Sequence, residues 1–112
     1  MKVSEKLIGK ICKNSDGRDG LVTCIKGDEV RGIGLDGKGN WSSNNPILNK
    51  TPYEDYDIAI CKSGKIGIVK YKSNKNYSAY GVGIDGKSWR SSDPEYVDIN
   101  YGFSLVRNIL NS

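Results

Sequence analysis

Gly81-Val82-Gly83-Ile84-Asp85-Gly86-Lys87-Ser88-Trp89-Arg90-Ser91-Ser92-Asp93-Pro94 repeats, with few changes, the earlier stretch Gly32-Ile33-Gly34-Leu35-Asp36-Gly37-Lys38-Gly39-Asn40-Trp41-Ser42-Ser43-Asn44-Asn45-Pro46. The offset is 49 from Gly32/Gly81 to Lys38/Lys87 and 48 from Trp41/Trp89 to Pro46/Pro94, so the second copy is one residue shorter inside its turn. The chain is an internal duplication of 112 residues. A unit of roughly 50 residues buries too little surface to be comfortable alone. The halves are therefore expected to share a core or to lie tightly side by side, as repeat units do.

Outward from these stretches, short runs of β-branched and apolar residues alternate with Gly, Asp and Asn turns, the pattern of an all-β chain. In the first half, strands are expected at 9–13, 21–26, 30–35 and 40–43; Asp36-Gly37 reads as a two-residue hairpin turn, and Asn44-Asn45-Pro46 as a stop, since Pro cannot donate to a ladder. The second half retraces the path with strands at 57–62, 66–72, 77–84 and 88–91 and a loop at 73–76. A further strand is expected at 96–101. Ser104-Leu105-Val106-Arg107-Asn108-Ile109-Leu110 suits a short amphipathic helix capped by Ser104. These boundaries divide the chain into a lead-in of one helical turn (1–8), a first repeat (9–49), a linker (50–56), a second repeat (57–99) and a C-terminal helix (100–112).

Gly17-Arg18-Asp19-Gly20-Leu21-Val22 and Gly64-Lys65-Ile66-Gly67-Ile68-Val69 each sit between two strands. Their glycine spacing resembles the KOW and Tudor type of SH3-like barrel, in which Gly-x-x-Gly-x-Val opens the second strand and four or five bent strands close a small barrel. The repeated Asp-Gly-Lys and Trp-x-Ser segment is an addition to that pattern. The resemblance implies an all-β fold: two duplicated SH3-like small β-barrel repeats packed together, with a short C-terminal helix. Members of this class bind RNA, DNA, ribosomal protein surfaces or peptides, so it implies architecture more than function.

Seventeen basic against thirteen acidic residues give a formal charge of +4, a bias toward anionic partners without the dense basic cluster of a duplex-DNA binder. Cys12, Cys24 and Cys61 are odd in number and form no Cys-x-x-Cys pair, which argues against a disulfide framework or a zinc ribbon. Cys12 and Cys61 are read as matching positions of the two repeats. The N-terminus lacks an apolar signal region and no apolar run approaches the ~20 residues of a membrane span. A cytoplasmic protein with no membrane partner is expected.

Gly81 to Ser88 satisfies the phosphate-loop expression Gly-x-x-x-x-Gly-Lys-Ser. That chemistry needs a helix N-terminus after the loop. Trp89 to Pro94 is instead strand and turn, and the first copy has Gly39 where the hydroxyl should stand, so a hairpin turn explains the segment. With no histidine in the chain, the usual general base and the commonest transition-metal ligand are absent. No enzyme, cofactor or metal site is expected.

Trp41 and Trp89 admit two readings. Each ring plugs its own half, or forms a platform on which a base stacks while Lys38, Lys87 and Arg90 meet phosphate. Strand alternation puts Trp89 and Ser91 on one face and Arg90 on the other, with Trp41 and Ser43 matching them. Arg31 aligns with Tyr80 and Ser42 with Arg90, so the halves have diverged and a ligand site would be composite. The candidate ligand-binding residues are Trp41, Trp89, Lys38, Lys87, Arg31, Arg90, Tyr80, Ser43 and Ser91. The function they point to is non-enzymatic binding or sequestration of an anionic ligand, single-stranded nucleic acid or a small nucleotide. In size and composition the chain is similar to small phage counter-defence proteins. The alternative is a protein-interaction module that docks another protein, or a second copy as a homodimer, through its tyrosine-rich half and terminal helix.

Overall fold

The computed structural model describes residues 5–73 and 78–110. It is mostly β, with two five-stranded antiparallel sheets and one C-terminal helix. The first sheet contains β1 (Ile11–Lys13), β2 (Asp19–Lys26), β3 (Glu29–Gly34), β4 (Asn40–Ser43) and β5 (Ile47–Leu48), ordered β4-β3-β2-β1-β5. The second contains β6 (Asp57–Ile60), β7 (Ile66–Ser73), β8 (Ser78–Gly83), β9 (Ser88–Ser91) and β10 (Glu95–Val97), ordered β10-β6-β7-β8-β9. The orders are equivalent: a four-strand meander whose fifth strand returns beside the first. The expected lead-in turn is a 3-10 helix at Glu5–Leu7, and a second one, Pro52–Glu54, lies in the linker. The expected loop at 73–76 lies, beyond Ser73, outside the described residues, as does Tyr77.

The closed barrels expected from the resemblance are corrected to open sheets, with β4 and β5 as the edges of one and β9 and β10 as the edges of the other. The returning strands are only two and three residues long and pair with β1 and β6 alone, so they do not reach the opposite edge. Each sheet is nonetheless bent at one place. The β2–β3 ladder slips between Val22 and Cys24, and the β7–β8 ladder between Val69 and Tyr71. Thr23 and Lys70 are the extra residues of these bulges, which add twist and curvature. Opposite each bulge stands a glycine at a close approach: a Cβ on Gly32 or Gly81 would lie 1.9 Å from the carbonyl oxygen of Leu21 or Ile68.

Bending divides successive residues between two interiors. On β1 and β2, Ile11 and Leu21 face a large core, while their neighbours Cys12 and Val22 join Val30 and Trp41 in a small one. On β6 and β7, Ile58 and Ile68 enter the same large core and Ala59 and Val69 join Ala79 and Trp89 in a third. The large core takes side chains from both sheets, from Tyr56 of the linker and from the helix, so the halves share it. Strands buried on both faces read as continuous apolar runs. The registers also correct the cysteine alignment. Ile11↔Leu21 matches Ile58↔Ile68, which makes Ala59 the counterpart of Cys12 and Asn14 the counterpart of Cys61. Asn14 and Cys61 close the same turn, through Asn14 N–H to Arg18 O at 3.0 Å and Cys61 N–H to Lys65 O at 3.0 Å.

Helix α1 (Ile99–Leu110) starts five residues before Ser104, and its cap is Asp98. The Asp98 carboxylate accepts the N–H groups of Asn100 and Tyr101 at 3.1 and 3.2 Å, satisfying donors that the first helical turn leaves unpaired. The strand expected over 96–101 therefore ends at Val97. The residues that bind the helix to the core are Gly102, Phe103 and Val106, while Ile109 is 44% exposed. Gly102 permits this contact, since a Cβ there would stand 2.8 Å from the Ile58 side chain. No helix among the described residues is long and apolar enough to cross a membrane.

A core shared between the sheets predicts one cooperative unfolding transition for the whole chain. Gly20→Ala and Gly67→Ala, each placing a Cβ 2.2 Å from an indole ring, should each shift that single transition by about 1–3 kcal/mol in urea titrations. Two separate transitions, one per half, would contradict the shared core.

Candidate functional site

Each half builds the same frame around its tryptophan. Trp41 donates its indole N–H to Arg18 O at 2.8 Å and Trp89 donates to Lys65 O at 2.9 Å. The rings are 2% and 4% exposed and lie against Gly20 and Gly67. Burial and a satisfied N–H correct the stacking-platform reading: both indoles are core, and neither offers a face to a ligand. Ser43 and Ser91 point inward beside them, and their hydroxyls accept the N–H groups of Asn45 and Asp93, turning the chain at the end of β4 and β9.

The Asp-Gly segments are loops rather than two-residue turns. Gly34 N–H bonds Gly39 O, enclosing Leu35 to Lys38, and Gly83 N–H bonds Lys87 O, enclosing the shorter Ile84 to Gly86. The residue lost between the copies is lost here. Asp36 and Asp85 accept the N–H of Lys38 and Lys87 at 3.0 Å, which leaves both lysine side chains exposed at the loop tips. Arg18 grips Asp36 with two hydrogen bonds of 2.7 and 3.1 Å, and Lys65 reaches Asp85 at 3.6 Å. The Arg18 bonds, followed by the Lys38 N–H, pull the Asp36 pKa from 3.8 down to about 2. Asp85 is lowered too, chiefly by the Lys87 N–H. Burial pushes the Cys12 thiol up to about 11, as suits a core thiol.

With Trp41, Trp89, Ser43 and Ser91 inside and Lys38 and Lys87 at the loop tips, the remaining candidates fall on the outward face of the strands. Arg31 pairs directly across the ladder with Ser42, and Tyr80 with Arg90. In the first sheet this face carries an open depression of about 470 Å³ lined by Thr23, Glu29, Arg31, Gly32, Asn40, Trp41 and Ser42. Arg31 is engaged there by Glu29, Nε to Oε1 at 2.5 Å. The register places Lys70 at the Thr23 position of the second sheet, Ser78 at that of Glu29, Tyr80 at that of Arg31, Ser88 at that of Asn40 and Arg90 at that of Ser42. The acid has gone, an aromatic ring 38% exposed has appeared, and Arg90 makes no ion pair among the described residues.

The contributions of Glu29, Thr23 and Lys70 escape a motif reading because none lies in the repeated segment. A signal for them exists in the charge pattern. Residues 57–91 carry six lysines and Arg90 against two acids, Asp57 and Asp85, whereas the matching residues 10–43 carry six bases against five acids. No group of three or more His, Cys, Asp or Glu among the described residues is placed to hold a metal ion. No family model, no curated protein and no solved structure matches the chain.

Two measurements check this geometry. Buried indoles predict blue-shifted tryptophan emission that resists iodide quenching; red-shifted, quenchable emission would return the rings to the surface. A carboxylate whose folded pKa lies below its unfolded one contributes stability that is complete above the unfolded value and is lost as pH falls through the folded one. Stability should therefore drop as pH falls from about 4 to about 2. Asp36→Asn should flatten that drop in urea titrations stepped through this window, and an unchanged slope would remove Asp36 as its source.

Proposed function

We propose that the chain is a non-enzymatic binding protein that takes an anionic ligand, single-stranded nucleic acid or a nucleotide, on the outward face of its second sheet at Tyr80 and Arg90. The observation that carries this reading is the exchange between equivalent positions of the two halves. Where the first sheet holds Arg31 against its own Glu29, the second holds Tyr80 beside Arg90 with an uncharged serine in the acid's place. Directly opposed residues of an antiparallel pair have Cβ atoms about 5 Å apart, so the ring and the guanidinium flank one spot. A base stacked on Tyr80 would set its phosphate toward Arg90, the combination used by sequence-tolerant single-strand binders. The excess of lysine over residues 57–91 adds a favourable field around that spot.

The reading of the halves as duplicated SH3-like units is supported by their common strand order, bulge position and tryptophan bond. An open, bent sheet of that kind leaves its outward face accessible along the strands, which favours an extended ligand. The protein-docking alternative rests on a different observation: the short edge strand β5 exposes Ile47 at 66% and Leu48 at 38%, an apolar pair that another chain would cover.

Fluorescence anisotropy with a labelled ten-nucleotide single strand separates the two. Binding that weakens as salt rises, with a slope near −0.7 per phosphate engaged, supports the anionic-ligand reading. Tyr80→Ala should weaken it by about tenfold or more, and Arg90→Ala should both weaken it and flatten the salt slope. Absence of binding at low salt, together with a dimer in sedimentation that Ile47→Lys dissolves, would replace this function with docking.

A further inference from the structure

We infer that the first sheet carries a second binding site, for a phosphate-bearing ligand, built on Arg31 and shut by the chain's own Glu29. The inference rests on the proposed function for the chemistry of the ligand, but its geometry belongs to the other sheet. Glu29 and Arg31 are two residues apart on β3, so their side chains leave the strand on the same face. They meet above the depression of about 470 Å³ whose rim also offers the polar side chains of Thr23, Asn40 and Ser42. The Glu29 carboxylate stands on Arg31 Nε at 2.5 Å, and the guanidinium makes no other side-chain hydrogen bond among the described residues. Carboxylate and phosphate oxygens meet guanidinium in the same charge-assisted way. Glu29 thus fills the place that a ligand's anionic group would take.

The pair lines the depression while remaining partly exposed, with side-chain exposures of 49% for Arg31 and 35% for Glu29. Exposed pairs of this kind are weak. Glu29 acts less by holding Arg31 rigidly than by neutralising it and repelling a second anion. In the second sheet the register position of Glu29 is Ser78, and the cation there is left for an external partner. On frames that share strand order, bulge position and tryptophan bond, Glu29 is the acid that closes the cation of the first sheet, where the second sheet has Ser78 and an open Arg90. Together with release of the ion pair, removing the Glu29 charge should raise phosphate affinity at Arg31 on the order of tenfold.

The test counts equivalents of a 5′-phosphorylated thymidine dinucleotide bound per chain, by calorimetric titration of the wild type, Glu29→Gln and the double variant Glu29→Gln with Arg31→Ala. One more equivalent in Glu29→Gln than in the wild type, lost again in the double variant, supports the closed site. An unchanged number, or an added equivalent that survives loss of Arg31, overturns it. The proposed function is judged separately by Arg90→Ala in the wild-type background. A wild type that binds nothing would sink that reading while leaving the comparison of Glu29→Gln with its double variant decisive for this one.

Discussion

The fold depends on the contact between an indole and a glycine. Trp41 lies on Gly20 and bonds Arg18 O, and Trp89 lies on Gly67 and bonds Lys65 O. Each ring therefore ties the fourth strand of its meander to the start of the second, across the third. With the ring held inside, strand alternation settles the rest of the segment: Ser43 and Ser91 turn inward, and Ser42 and Arg90 turn outward. The aromatic most suited to stacking on a base is consumed in holding the sheet. Recognition falls to the residues that this arrangement pushes to the other face.

That other face is itself divided. Toward the Asp-Gly loops it is covered, with Leu35 and Val82 in the shared core and Ile33 and Ile84 packed against it, whereas Arg31 and Tyr80 lie where it reaches solvent. The bulges at Thr23 and Lys70 and the glycines opposite them make the bend that separates these regions. Tyr56 links the halves in a second way. Its ring is in the shared core and its hydroxyl donates to Asp19 at 2.7 Å, so the linker is bonded back onto the first sheet. Burial and that bond together raise the phenol's pKa, which keeps it a donor throughout the ordinary pH range.

Much of the strand pattern is legible in the sequence because alternation and turn residues are local signals. Both tryptophan strands, 40–43 and 88–91, have the boundaries that the repeat indicates. What escapes is set by partners distant in the chain. The helix begins at Ile99 because Asp98 caps it and Gly102 fits against Ile58, and periodicity beyond Ser104 carries no trace of that contact. Whether the returning strands close a barrel depends on how far β5 and β10 reach, which no turn signal encodes. For the candidate site, the pairing of Tyr80 with Arg90 follows from the repeat alignment, since Arg31 and Ser42 mark the same positions in the other half. The sequence leaves Trp41 and Trp89 open to two readings, and the depth of the sheet decides for burial. Glu29 has no motif of its own beside Asp28 in its hairpin, and only the charge difference between the halves marks it.

The shared core also has a meaning in time. As the chain emerges from the ribosome, the first half can form its meander and enclose Trp41, because those contacts lie within about its own 50 residues. Ile11 and Leu21 cannot be covered until Ile58, Ile68 and Val106 arrive. At about 5–20 residues per second the wait lasts several seconds. During that interval the nascent chain presents an apolar sheet face beside an open edge strand, a surface that chaperones and like chains can engage.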